Sequence, residues 1–106
     1  MITYEDFSKL DLRVGRILEV SDHPNANKLY ILKVDIQEKI IQIVAGIKNF
    51  YSPQDLINKL IVVIVNLEPK EIRGVLSSGM LLAAQDIDKI SLLTVDSPVN
   101  IGSKIK

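Results

Sequence analysis

Residues 12–45, LRVGRILEVSDHPNANKLYILKVDIQEKIIQIVA, decide how this chain folds. Leu12 to Val20 is a run of branched apolar residues with Gly15 in its middle, the pattern of a strand that bends sharply or carries a bulge. His23 to Asn27, rich in Pro and Asn, makes the loop that follows. From Leu29 to Asp35 the residues alternate, with Leu29, Ile31 and Lys33 on one face and Tyr30, Leu32 and Val34 on the other, which predicts a second strand. Gln37-Glu38-Lys39 turns the chain, Ile40 to Ala45 forms a third strand paired with the second as a hairpin, and Gly46 ends it.

Downstream, Ser52-Pro53-Gln54-Asp55 marks a helix start, with Ser52 as N-cap, Pro53 at the first helical position and Asp55 at the third, close to a capping box. The helix is short, with Leu56, Ile57 and Leu60 as its buried face. Leu60 to Asn66 is the fourth strand and Met80 to Ala84 the fifth. Five short strands with one helix between the third and fourth make an all-β chain in the order of an OB-fold. This is a small Greek-key barrel that takes oligonucleotides or oligosaccharides on one face. Residues 1–106 are read as one domain, since a chain of 106 residues has material for one modest core.

Composition narrows the function classes. With no cysteine there are no disulfides, no thiolate chemistry and no zinc-finger site. No apolar run approaches the roughly 18 residues that span a bilayer, and the polar, acidic opening Met1-Ile2-Thr3-Tyr4-Glu5-Asp6 is unlike a signal peptide. A cytoplasmic location without membrane contact is the expectation. The 13 basic residues balance the 13 acidic ones, which weighs against nucleic acid because phosphate binding draws on Lys and Arg. The charges are unevenly placed, however. Glu5, Asp6, Asp55, Asp86 and Asp88 lie away from the segments that hold Lys28, Lys33, Lys70 and Arg73, so one face can still be basic.

Two motifs stand beside strands: His23-Pro24-Asn25-Ala26-Asn27-Lys28-Leu29 and Arg73-Gly74-Val75-Leu76-Ser77-Ser78-Gly79-Met80. With Asp11-Leu12-Arg13-Val14-Gly15-Arg16-Ile17, Val44-Ala45-Gly46, Tyr51-Ser52-Pro53 and Asn66-Leu67-Glu68-Pro69 in the same order, the whole chain resembles the tRNA-binding OB-fold family. Members of that family include the C-terminal domain or separate β-subunit of methionyl-tRNA synthetase and free-standing tRNA-binding proteins. Asn27 stands where the family usually has Asp, which leaves the local charge more positive than usual, and Leu76 stands where a polar residue is common.

The resemblance implies a non-catalytic module that binds tRNA by its structure, with little sequence preference. Pro24 stiffens the first loop, so Asn25 and Lys28 are presented at low ordering cost. Lys28 supplies charge for phosphate, and Asn25 a donor and an acceptor for sugar or base edges. Spacing alone reads this stretch as an Asn-rich turn with a solvated lysine; only the resemblance makes it a contact. In the second motif, Arg73 has a planar fork for phosphate or base, Gly74 allows an unusual turn, and Ser77 adds a hydroxyl. Met80 has two readings, a core residue opening a strand or a surface for an unstacked base, and the resemblance supports the second. Lys33 and Lys70 serve as electrostatic helpers. Among the few aromatics only Tyr30 is placed to stack bases, which favours reading the shape and backbone of a folded RNA.

The segments outside the barrel, Met1 to Leu10 and Ile90 to Lys106, carry Leu92, Leu93, Val95, Val99, Ile101 and Ile105, and this apolar surface has to be covered. In the resembled family such extensions build a symmetric dimer, so a homodimer is expected; capping of the barrel ends by the tails is the alternative. No catalytic or metal site is expected. His23 is the sole histidine and reads as a turn residue before proline, and no cofactor motif is present. Since the chain opens at Met1 with the module alone, it reads as a free tRNA-binding protein or a separate β-subunit partnered with a methionyl-tRNA synthetase catalytic subunit. Two rivals are a chaperone-like peptide-binding dimer of the same fold and a non-RNA partner-docking module.

Overall fold

A computed structural model describes residues 1–106. Strands β1 (Leu12–Asp22), β2 (Tyr30–Asp35) and β3 (Ile40–Ala45) follow a one-turn helix α1 (Tyr4–Ser8). Helix α2 (Pro53–Leu56) and β4 (Leu60–Ile64) come next, then the hairpin β5 (Lys70–Ile72) and β6 (Val75–Ser77), the short β7 (Met80–Leu81), and a second hairpin, β8 (Ala83–Gln85) and β9 (Ile90–Leu92). The main sheet is antiparallel in the order β3-β2-β1-β4-β7. It curls until β7 approaches β3, where the Ser78 N–H donates to the Gln42 carbonyl at 2.7 Å. The result is the nearly closed five-stranded barrel, with one short helix between β3 and β4, that the strand order predicts.

Strand β1 makes this possible by changing partners midway. Its first half pairs with β4, Leu12 opposite Ile64 through Arg16 opposite Leu60, and its second half pairs with β2, Arg16 opposite Asp35 through Asp22 opposite Tyr30. A bulge between Ile17 and Glu19 marks the switch. Gly15, which pairs regularly with Ile61, is there for a steric reason: a Cβ would stand 2.6 Å from Val34 Cγ1 and 3.3 Å from the Asp35 carbonyl. Ile17, Leu32, Val34, Ile43, Ile61 and Val63 fill the barrel, and Leu56 plugs it from α2.

Several details depart from expectation. Helix α2 is a single turn; Ser52 occupies the N-cap position, but its hydroxyl donates to the Asp55 carboxylate at 2.8 Å instead of capping a backbone N–H. Only Leu56 of its expected apolar face is buried, and Ile57 is exposed. A full capping box forms at α1 instead, between Thr3 and Asp6. The expected fifth strand, Met80 to Ala84, breaks at Leu82. Its first part pairs with β4 and its second with β9, so the chain leaves the barrel there. Tyr30 is 3% exposed and belongs to the core, its hydroxyl donating to the Tyr51 carbonyl at 2.7 Å, so it offers no stacking platform.

The C-terminal segment is built into the fold. Leu92 is buried in the barrel core, and its N–H donates to the Tyr51 hydroxyl at 3.0 Å. Residues 102–105 then lie along the first half of β1: the Val14 N–H donates to Ser103, the Gly102 N–H to Val14, and the Ile105 N–H to Leu12, all at 2.8–2.9 Å. Arg13 secures this layer by donating to the Gly102 carbonyl at 3.1 Å while pairing with Asp11, which holds the guanidinium above its ordinary pKa through that hydrogen bond and charge. Met1, Ile2, Tyr4, Leu93 and Val99 remain exposed apolar residues of the two extensions. No helix is long and apolar enough to cross a membrane.

Candidate nucleic-acid interface

The loop between β1 and β2 and the β5–β6 hairpin meet at one end of the barrel, and His23 joins them. Its ring is 4% exposed. The Asn25 N–H donates to His23 Nδ1 at 2.9 Å, so Nδ1 is the unprotonated nitrogen; Nε2 then carries the hydrogen and donates to the Ile72 carbonyl, also at 2.9 Å. Beside it the Asn25 side-chain amide donates to the Arg73 carbonyl at 3.2 Å. The loop is thus tied to the hairpin at two successive carbonyls. The expected turn residue before proline is in fact the strut between both motifs.

The hairpin tip has an exacting backbone. Arg73 and Gly74, its two central residues, both have positive φ, 50° and 92°. A two-residue turn of this kind matches the twist of paired strands and usually recruits Asn or Gly. Here Arg takes the first place, which throws its side chain out to solvent. At its base the hairpin is fastened to β3. Gln42 donates from its amide to the Leu76 carbonyl at 2.8 Å, and the Ser77 hydroxyl accepts from the Val44 N–H at 3.0 Å while donating to the Gly79 carbonyl at 3.1 Å.

These contacts sort the expected site residues. Lys28, Lys70 and Arg73 are exposed and make no ion pair. Asn25 is exposed, but its amide nitrogen is committed to the hairpin, leaving the side-chain oxygen for a ligand. Met80 is 44% exposed on β7, on the surface. Lys33 is half-buried and donates to the Gln42 side-chain oxygen at 2.6 Å, so its charge lies over the sheet face behind the hairpin. Ser77 is 5% exposed with its hydroxyl engaged on both sides, which makes it a fastening for the hairpin and not a presented hydroxyl.

Two depressions result. Ala26, Asn27, Lys28, Leu29 and Arg73 line one, which joins the two motifs. Val44, Leu67, Glu68, Lys70, Ile72 and Met80 line the second. Lys48 extends the basic side of the first: its N–H donates to the Lys28 carbonyl, and its ammonium pairs with Asp22 at 3.1 Å. Glu68, Glu71 and Asp22 show that acids are less cleanly segregated than the sequence suggests. Sequence reading placed His23 in the loop but missed its linking role, and it missed Gln42 and Lys48 as parts of this end of the barrel. Their partners lie far along the chain, 49 residues away for His23, and no local pattern marks them. No three His, Cys, Asp or Glu side chains converge as a metal would require.

Comparison with known proteins fits this geometry. The family model described as "Putative tRNA binding domain" matches residues 12–104. Methionine–tRNA ligase of Pyrococcus horikoshii is 53% identical over 105 residues, which is 99% of this chain and 14% of the ligase. Methionine–tRNA ligase of Thermotoga maritima is 48% identical over 104 residues, 98% of this chain and 16% of that protein. The chain therefore spans about a seventh of the curated relatives it matches. Among solved structures, the CsaA chaperone protein of Picrophilus torridus aligns with a TM-score of 0.93 and 43% identity over 100% of both chains. The MetRS related protein of Pyrococcus horikoshii aligns with a TM-score of 0.93 and 32% identity, over 100% of this chain and 98% of its own.

Proposed function

Because this chain belongs to the tRNA-binding domain family, we propose that its loop-and-hairpin end binds tRNA by structure, with little dependence on sequence. The observation that carries the reading is the placement of Lys28, Lys70 and Arg73. All three cations are exposed, free of carboxylate partners, and gathered around two strands of backbone fixed to each other by His23 and Asn25. Unpaired cations on a stiff frame suit a folded polyanion, since phosphates fix register and release counterions on contact. Met80 and Leu67, apolar and exposed beside Lys70, suit an unstacked base next to a phosphate.

In this reading the module has no chemistry of its own and works in the cytoplasm. It acts as a homodimer through its exposed terminal segments, raising the tRNA affinity of a methionyl-tRNA synthetase or acting alone. The test is titration of labelled tRNA, and of an unstructured RNA of equal length and charge, at two salt concentrations. Tighter binding to tRNA, with about three to four ions released, supports it. Equal weak binding to both RNAs refutes it.

A second reading is a dimer that binds peptides, favoured by the end-to-end match to the CsaA chaperone protein. Charge reversal at Lys28 and Arg73 separates the two. The RNA reading expects loss of tRNA binding with dimerisation intact, whereas peptide binding is nearly indifferent to that change.

A further inference from the structure

We infer that His23 is a positioning residue for the RNA contact: it couples Lys28 and Arg73 so that the two loops engage one ligand as a single rigid surface. The inference rests on the tRNA reading. His23 is too buried to touch a ligand, yet both of its ring nitrogens are spent on the two motifs, one on its own loop and one on the hairpin. The one other hydrogen bond between the loop and the hairpin comes from the Asn25 amide, whose own backbone N–H is held by the His23 ring. The ring is also the right shape for the task. A single planar group accepts at Nδ1 two residues along its own chain and donates at Nε2 to a carbonyl 49 residues away.

The consequence for recognition is specific. Two cationic loops that move independently can each find a phosphate on any flexible strand, but a pair held at fixed separation rewards an RNA whose phosphates are already spaced by its own fold. His23 thus contributes preference for folded over unstructured RNA, without contacting either.

The chemistry of the ring supplies variants that separate its two bonds. His23→Asn keeps an acceptor for the Asn25 N–H, in an ordinary Asx turn, but is too short to reach Ile72. His23→Gln extends far enough to donate to the Ile72 carbonyl. Thermal unfolding and tRNA titration are measured for both, and Lys28→Ala, Arg73→Ala and the double substitution are compared in the native and His23→Asn backgrounds.

The expected result is binding about five- to tenfold weaker in His23→Asn, the scale of one lost hydrogen bond, with most of it restored in His23→Gln. In the native background the losses from Lys28→Ala and Arg73→Ala are coupled; in the His23→Asn background they become additive. The loss is also smaller on the unstructured RNA. The nitrogen resonances of the ring provide an independent signature, with Nε2 protonated and Nδ1 not. A folded His23→Asn chain with native affinity and unchanged coupling overturns the inference and leaves the tRNA reading standing. A native chain that shows no preference for tRNA overturns both.

Discussion

The Ser77 hydroxyl accepts the amide N–H of Val44 across 33 residues of chain, at 3.0 Å and out of contact with water. Together with the Ser78 N–H on the Gln42 carbonyl and the Gln42 amide on the Leu76 carbonyl, this side chain closes the gap between β3 and the segment leading into β7, where the barrel lacks a continuous ladder. Ser77→Ala would leave the Val44 N–H buried without a partner. A destabilisation of about 1–3 kcal/mol is expected by thermal or urea unfolding. The tRNA affinity of the folded fraction should stay close to native, which separates this residue from its exposed neighbours.

Arg73 carries opposing demands. Its φ of 50° is unfavourable for any residue with a side chain, and glycine would relieve roughly 1 kcal/mol of that strain. Arg73→Gly is therefore expected to hold or raise the melting temperature while weakening tRNA binding. The slope of log affinity against log salt should fall by about one ion. Equal loss of stability and affinity would show that the guanidinium is structural.

Met80→Ala should cost roughly 1 kcal/mol of tRNA binding, at the low end of what a side chain stacked on a base supplies. Stability should change little, because the side chain is 44% exposed and outside the barrel core. Parallel titration and unfolding would settle the two readings of this residue, since a core methionine truncated to alanine loses several times more stability.

Gly15→Ala tests the close approach of β2 to β1. The added methyl meets the Val34 side chain at 2.6 Å, and packed strands leave it nowhere to go. A loss of about 1–3 kcal/mol in urea unfolding is expected. Val34→Ala in the same chain should recover part of it, because it removes the atom that clashes.

The barrel was legible where burial follows chain order. Leu29 to Asp35 alternates in the sequence and alternates in the structure, and it pairs with Ile40 to Ala45 as the expected hairpin. The same alternation puts Tyr30 on the face of Leu32 and Val34; a platform for bases was expected of it only because aromatics are few, and its pattern position was the better guide. The β5–β6 hairpin was hidden because its turn residues are Arg-Gly, with the first left-handed place taken by a residue that seldom occupies it. The β8–β9 hairpin was hidden because β8 is exposed throughout and shows no apolar face.

The candidate site divided along the same line. Exposed cations near turns can be recognised from sequence: Lys28 lies in the β1–β2 loop, Arg73 in the β5–β6 turn, and Lys70 is exposed at the start of the short strand β5. Which polar residues face inward depends on contacts between distant segments. Ser77 and Lys33 therefore turned out to be engaged with the protein itself, and His23 to be its main link.

The pairing of residues 102–105 with the start of β1 brings the two ends of the chain together, and Tyr4, Phe7 and Leu10 share a groove with Lys104, Ile105 and Lys106. A short linker can therefore bridge the original termini. New ends can open at Ile87, the 98% exposed tip of the β8–β9 turn, at the far end of a hairpin that lies outside the barrel. Such a rearranged chain would keep every barrel strand and both motifs uncut, so the loop-and-hairpin end could be mounted on a host protein through a surface loop as readily as at a terminus.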